Sequence, residues 1–293
     1  MLGLKENASI PGSMQLLREA AALYRKQFGR LIALLLAAIF AVIVGIFVLL
    51  GMLSFTSWLS VSSTPTVHYI GLALSILIEV AAFIALGITQ LWASLTVVVT
   101  LAKGADSTTG GGIIDAYRES RRFVLPYLWV SILSGLLMLG GVLLLVVPGI
   151  ILSVWFILAL YVVVSEDRHG FTALLASREY VRGRWWAVAG RIVVLALLSF
   201  VISIPGAILT GVFNQPGIAQ AINFALELLL TPLLLGYFYV LYLRLKTLPV
   251  AVAPESNVQL RKYLVVGSVV MAFLTVILVA AMFIFGAAAL QGS

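Results

Sequence analysis

The chain has no cysteine and only two histidines, His68 and His169. The first absence excludes disulfides, catalytic thiols and thiolate metal sites. The second leaves too few imidazoles for a histidine-based zinc centre, which wants three or four convergent ligands. Charge is equally scarce. Charged residues make up 10% of the 293 residues and apolar ones 62%, against roughly 25% charged in an ordinary soluble domain. No polar stretch is long enough to fold by itself. The longest, near 103–122 and 246–262, are linkers and loops. A Ser-His-Asp arrangement has no candidate partner set. The run Gly110–Gly112 lacks a following Lys-Ser/Thr, so it reads as linker and not as a phosphate loop. No catalytic residue, metal site or cofactor is expected.

What the sequence has in abundance is apolar length. A mean hydropathy of +1.16 makes this an all-α, polytopic transmembrane helix bundle. The lipid bilayer is then the first partner. The net charge of +7 follows from loop bias, with no nucleic-acid partner implied. Leu31–Leu53 is long enough to span a ~30 Å hydrocarbon core. Further spans are read at Tyr69–Ala102, Val124–Val147, Ile150–Ser165, Ala187–Phe213, Ile218–Leu243 and Tyr263–Leu290. That gives six or seven crossings. The organisation expected is a tail and interfacial helix over 1–30, a six-span domain over 31–246, and a polar loop with an added span over 247–293.

Seventeen of the 18 Lys and Arg fall in 1–30, 103–123, 166–186 and 244–262. The remaining one, Arg191, lies just inside the fifth span. The alternate loops carry none. The positive-inside rule puts the N-terminus in the cytoplasm and, with seven spans, the C-terminus outside. Short amphipathic helices precede several spans: 13–29, 113–122 and 171–184. In the last, Arg178, Glu179 and Arg182 fall opposite Ala173, Ser177, Tyr180 and Val181. Such helices lie in the headgroup plane. Arg118, Arg121 and Arg122, with Arg178, Arg182 and Arg184, are candidates to bind anionic headgroups. Topology determination alone also explains them.

Pro148-Gly149 and Pro205-Gly206 interrupt apolar runs. Proline removes an amide donor and disfavours helix in the preceding residue. The first pair is expected to be a true hairpin reversing the chain at the outer side, and the second a kink or helix end. Ser131, Gly135, Gly140 and Gly141 are small residues suited to close helix approach in lipid.

Polar groups inside the apolar runs are the other candidates: Glu79, Gln90, Arg191, Gln220, Asn223 and Glu227. Gln220, Asn223, Glu227 and Thr231 form one stripe at helical spacing, and Glu79 and Glu227 fall near the midplane. Intramembrane carboxylates are costly and are functional candidates by default. Protonated, hydrogen-bonded helix contacts are the structural alternative. The expectation is that Glu227 faces the bundle interior, with Arg191 as its charged partner and Glu79 as the competing one.

Val147–Arg182 also resembles a bacterial family. Pro148-Gly149, the apolar span to Val164, Glu166, Gly170 and Ala176-Ser177 carry the likeness. Leu23–Phe28 before the first span and Tyr242-Leu243-Arg244 after the sixth match as well. The resemblance is to the membrane domain of glycerophosphoryl diester phosphodiesterases and to stand-alone YciC-like inner-membrane proteins, over about 13–246. It implies a six-helix inner-membrane bundle without the soluble catalytic barrel. The function expected is therefore a non-enzymatic envelope protein acting through lipid or protein contacts. The alternative is a small-solute transporter or channel built on Glu79 and Glu227. A membrane enzyme comes third.

Overall fold

The computed structural model describes residues 10–61, 65–103, 112–144, 146–211, 216–248, 259, 261–275 and 277. Parts of the expected loops, 62–64, 104–111, 212–215 and 249–258, lie outside the described residues, as does most of the C-terminal half of the seventh span. Regular structure among the described residues is α-helix: α1 (Ser13–Val61), α2 (Pro65–Lys103), α3 (Ile113–Leu144), α4 (Val146–Phe156), α5 (Ala159–Glu166), α6 (Phe171–Val181), α7 (Trp185–Gly211) and α8 (Pro216–Thr247). Residues 261–275 are helical too. Among the described residues, six stretches are long and apolar enough to cross a membrane. The outward surface supports that reading. Phe83 is 80% exposed, Leu125 74% and Phe47 70%, a display of large apolar side chains that only lipid accommodates. The protein is a helical multi-pass membrane protein.

Two of the three amphipathic starts are not separate helices. The N-terminal one runs into the first span through a single non-helical residue, Gln27 (φ −119°, ψ 15°). Met14 and Phe28 are exposed, while Leu16 and Ala20 are buried. Likewise, 113–122 is simply the first part of α3. Pro126, Pro205 and Pro232 sit inside α3, α7 and α8, so Pro205-Gly206 does not end its helix. Spanning helices tolerate such prolines when neighbouring groups satisfy the freed carbonyls.

Pro148-Gly149 is not the hairpin turn that its composition suggested. Both residues lie in the first turn of α4, where a missing amide hydrogen costs nothing because that donor has no helical acceptor anyway. The chain nevertheless reverses from α3 to α4. A Cβ added to Gly141 would lie 2.8 Å from both the N and the Cα of Gly149. Eight residues along one helix would separate those backbones by ~12 Å, so α3 and α4 must double back against each other. Gly149 acts as a contact surface, and its own Cβ would meet the Val142 backbone at 3.0–3.2 Å. Gly135, in contrast, has nothing within 4 Å of its Cβ position and makes no close approach. Moving the turn upstream also lengthens the fourth crossing. It becomes Val146–Glu166, 21 residues, with a short break between α4 and α5.

The chain divides into two compact units. One comprises Met1–Arg18, Leu125–Ile202 and Phe238–Ser293. Its core is built on α5 and α6, where Val162, Val163, Ala173 and Leu174 are fully buried. Met271, in the helical segment 261–275, packs against Gly140 of α3. The other comprises Glu19–Val124 and Ser203–Tyr237. There Leu31, Leu34, Leu95, Val97 and Tyr237 are fully buried.

Candidate functional site

The densest polar constellation in the first unit is centred on Glu166, the last residue of α5. The chain leaves α5 through Asp167 in the left-handed region (φ 54°) and enters α6 through Gly170 (φ 55°, ψ −134°). That second conformation is essentially restricted to glycine, and it seats Gly170 3.4 Å from the Trp129 indole, measured from a Cβ position. The tight turn brings Tyr180 of α6 back over Glu166. Tyr180 Oη donates to Glu166 Oε1 at 2.6 Å, and Tyr242 Oη of α8 donates to the same oxygen at 2.7 Å. Lys246, one turn beyond Tyr242, places Nζ 3.3 Å from Oε1, and Arg168 Nε lies 3.1 Å from Oε2. Lys246 also donates to Tyr242 Oη at 3.2 Å.

The carboxylate side chain is only 9% exposed, whereas Arg168 and Lys246 are about half exposed, at 49% and 43%. The aromatic rings continue inward: Tyr242 stacks on Tyr161 at 6.2 Å and meets Tyr180 edge-on at 5.8 Å. Burial, then the hydrogen bond and negative charge of Glu166, push the Tyr180 hydroxyl's ionisation well above its ordinary value. A charged carboxylate whose two oxygens meet four donors is satisfied. Its chemistry is that of a tie between α5, α6 and α8.

Arg191, expected as the charged partner of Glu227, is held by backbone carbonyls within the first unit. Its Nη2 donates to the carbonyls of Ile10 (3.0 Å) and Pro11 (2.6 Å), its Nε to Pro11 at 3.2 Å, and its Nη1 to Ala187. The guanidinium fork, with five fixed donors, suits a cluster of carbonyls, so Arg191 pins the residues leading into α1. Glu227 is exposed, not interior. Glu79, Gln90 and Gln220 are exposed as well. Asn223 is half-buried against Gly206, with its Oδ1 buried and lacking a hydrogen-bond partner among the described residues. Which way the stripe faces depends on the neighbouring helices, and that is where the expectation failed.

The six headgroup arginines separate into two groups. Arg118, Arg121 and Arg122 are exposed on α3, with Arg122 over the Phe123 ring at 4.5 Å. Arg178 is buried (9% exposed), its guanidinium 4.8 Å from the Trp155 ring centroid, so it is not available to lipid. Arg182 and Arg184 are half-buried. α6 is thus a packed element, not a surface one: Ser177 is fully buried and donates to Trp155 O at 2.6 Å. The start of α3 is held within the second unit by Trp92, whose Nε1 donates to Tyr117 O (3.1 Å) and Ser120 Oγ (3.0 Å). Thr96 Oγ1 lies 2.7 Å from that hydroxyl, and Tyr117 Oη donates to Leu34 O at 3.0 Å. Lys103 pairs with Glu119. Three arginines are therefore presented outward by a helix whose inner face is tied down.

Sequence reading used Glu166 only as one of the residues that carry the family resemblance. The available signal was a carboxylate closing an apolar run, with tyrosines on the helices that follow. No group of three or more His, Cys, Asp or Glu able to hold a metal occurs among the described residues.

No protein-family model and no solved structure matches the chain. A UPF0259 membrane protein of Pectobacterium carotovorum is 30% identical over 138 residues, which are 45% of this chain and 52% of that protein. The chain therefore spans about half the length of the curated relative it matches. This multi-pass helical protein thus has a distant homologue among bacterial membrane proteins of uncharacterised family.

Proposed function

We propose that this chain is a non-catalytic protein of the bacterial inner membrane that engages anionic phospholipid headgroups at its cytoplasmic face. The observation that carries the reading is the outward presentation of Arg118, Arg121 and Arg122 within little more than one turn of α3, just before a membrane-spanning stretch. Each basic group near an anionic surface contributes about 1 kcal/mol, so three give an attraction on the order of 3 kcal/mol at low salt. The resemblance to glycerophosphoryl diester phosphodiesterase membrane domains and YciC-like proteins, the bacterial membrane-protein relative and the one-sided distribution of Lys and Arg support the membrane and the orientation. Glu79 and Glu227 are exposed, so they lend no support to a transport pathway through a closed polar core.

The test compares lipid retained by purified protein from mixed phosphatidylglycerol–phosphatidylcholine micelles. Retention of phosphatidylglycerol should exceed that of phosphatidylcholine, and the triple change of Arg118, Arg121 and Arg122 to Gln should abolish the preference. Equal retention of both lipids by the parent protein sinks the reading. Orientation is read separately with Asp167→Cys, since the chain has no cysteine of its own. Labelling by an impermeant thiol reagent from outside intact cells overturns it.

A further inference from the structure

Tyr24 Oη, Gln27 Oε1 and Arg30 Nε are buried polar atoms with no hydrogen-bond partner among the described residues. They recur at steps of three along α1, so each side chain neighbours the next on the helix surface. All three belong to the second unit. Ala20 before them and Leu31 and Leu34 after them are fully buried. A Cβ on Gly236 of α8 would touch Ala20 and Leu101 at 3.9 Å, so this is the packed side of α1. Folded proteins leave few such atoms unpaired, and three within one short stretch call for a partner. Gln27 is also the non-helical residue of α1 (φ −119°, ψ 15°). Neither a proline nor a Gly-Ser pair stands beside it, which leaves a bulge or a group entering the helix ladder as the cause. The three residues are themselves half-buried, so the site lies at the rim of the packed face and not deep within it.

The three atoms describe the group they lack. Arg30 Nε is a donor on a cation and pairs best with an oxyanion. Gln27 Oε1 is an acceptor that needs an N–H or O–H, and Tyr24 Oη serves either way. Arg30 makes no ion pair with a carboxylate among the described residues. Its position sets the source of the oxyanion. Arg30 directly precedes the apolar run that begins at Leu31, and Arg25 and Lys26 before it are exposed. Phe28, 45% exposed, lies edge-on to Tyr24 at 5.2 Å. Exposed charges beside an exposed ring mark the headgroup level of a bilayer. We infer that Tyr24, Gln27 and Arg30 form a site for the headgroup of an amine-bearing phospholipid. Its phosphate meets Arg30, and its ammonium meets Gln27 and Tyr24. An ammonium carries three donors, enough for both acceptors, where a hydroxyl carries one. Gln27 and Arg30 are about 4.5 Å apart along the helix, a step that the two-carbon arm of phosphoethanolamine bridges. A choline headgroup has the same net charge but no N–H to donate. The site is independent of the headgroup reading on α3, which rests on net charge.

The test follows the thermal midpoint of the delipidated full chain in a nonionic detergent. Added phosphatidylethanolamine should raise the midpoint, and phosphatidylcholine with the same acyl chains should not. Equal shifts with both lipids, or none with either, overturn the site, since water then satisfies the three atoms. Soluble phosphoethanolamine and inorganic phosphate at the same concentration should have no effect. A shift with either that equals the lipid's overturns the bilayer as the source. The half-maximal concentration of phosphatidylethanolamine should rise about fivefold in Gln27→Leu, the loss of one ~1 kcal/mol hydrogen bond. Arg30→Gln should raise it about tenfold or more, the ~1.4 kcal/mol lower end for a charged hydrogen bond. Tyr24→Phe keeps the ring and removes only the hydroxyl, so it answers the question even where the other two variants fail to fold. It too should raise the half-maximal concentration about fivefold. Changing Arg118, Arg121 and Arg122 together to Gln should leave the value unchanged. An unchanged value in every site variant that folds, or an equal rise with the α3 changes, refutes the proposal.

Discussion

Replacing Glu166 by Ala removes the acceptor shared by Tyr180 and Tyr242. Each buried hydroxyl left without an acceptor costs about 1–3 kcal/mol. The pairs with Arg168 and Lys246 add little, because those partners are 49% and 43% exposed and such pairs contribute about 0–1 kcal/mol. The expected destabilisation is therefore about 2–6 kcal/mol, most of it from the tyrosines. Glu166→Gln keeps one acceptor oxygen and should cost about half as much or less. Unfolding in mixed detergent micelles, with thermal and denaturant midpoints, measures both. The decisive comparison is a cycle with Tyr180→Phe and Tyr242→Phe. If the hydroxyls are what Glu166 satisfies, removing both should make the further loss of Glu166 nearly free, a non-additivity of about 1–3 kcal/mol per hydroxyl. An Ala variant within 0.5 kcal/mol of the parent, or strictly additive losses, shows that the carboxylate is not the tie between α5, α6 and α8.

Two further outcomes follow from the same geometry. Gly141→Ala drives a Cβ to 2.8 Å from the Gly149 backbone, where no side chain can give way, and should cost about 1–3 kcal/mol. Gly135→Ala, with open space at its Cβ, should be neutral or slightly stabilising, since alanine favours helix. Equal thermal midpoints for the two variants refute the close approach of α3 and α4. The Tyr180 hydroxyl keeps its proton beyond its ordinary value of 10.0. Its contribution to stability is thus complete below about pH 10 and is lost as pH rises through the raised folded value. The thermal midpoint should fall on alkalinisation past pH 10, and Tyr180→Phe should flatten that fall. An unchanged alkaline slope in the Phe variant excludes Tyr180 as its source.

What the sequence by itself determined is what each residue decides in its own surroundings. Whether a stretch crosses the membrane depends on the sum of its side-chain transfer energies, so the all-α class and the six or seven expected crossings follow from composition and order alone. Charge bias acts through local loop composition too, and the arginines at the start of α3 were legible for that reason. The tertiary structure decided everything that depends on distance between residues far apart in the chain. Glu166 and Tyr242 are 76 positions apart, and no periodicity links them. Arg191 finds its carbonyls 180 residues upstream. The turn before Pro148 became visible only when Gly141 was seen against Gly149, since a Pro-Gly pair suits a helix's first turn as well as it suits a loop. Arg178 and Glu227 changed places for the same reason. Helical spacing tells which residues share a face, but the packing of neighbouring helices settles which face is covered. In a bilayer the difference matters more than in water, because both the covered face and the lipid-facing one are apolar, and hydropathy cannot tell them apart.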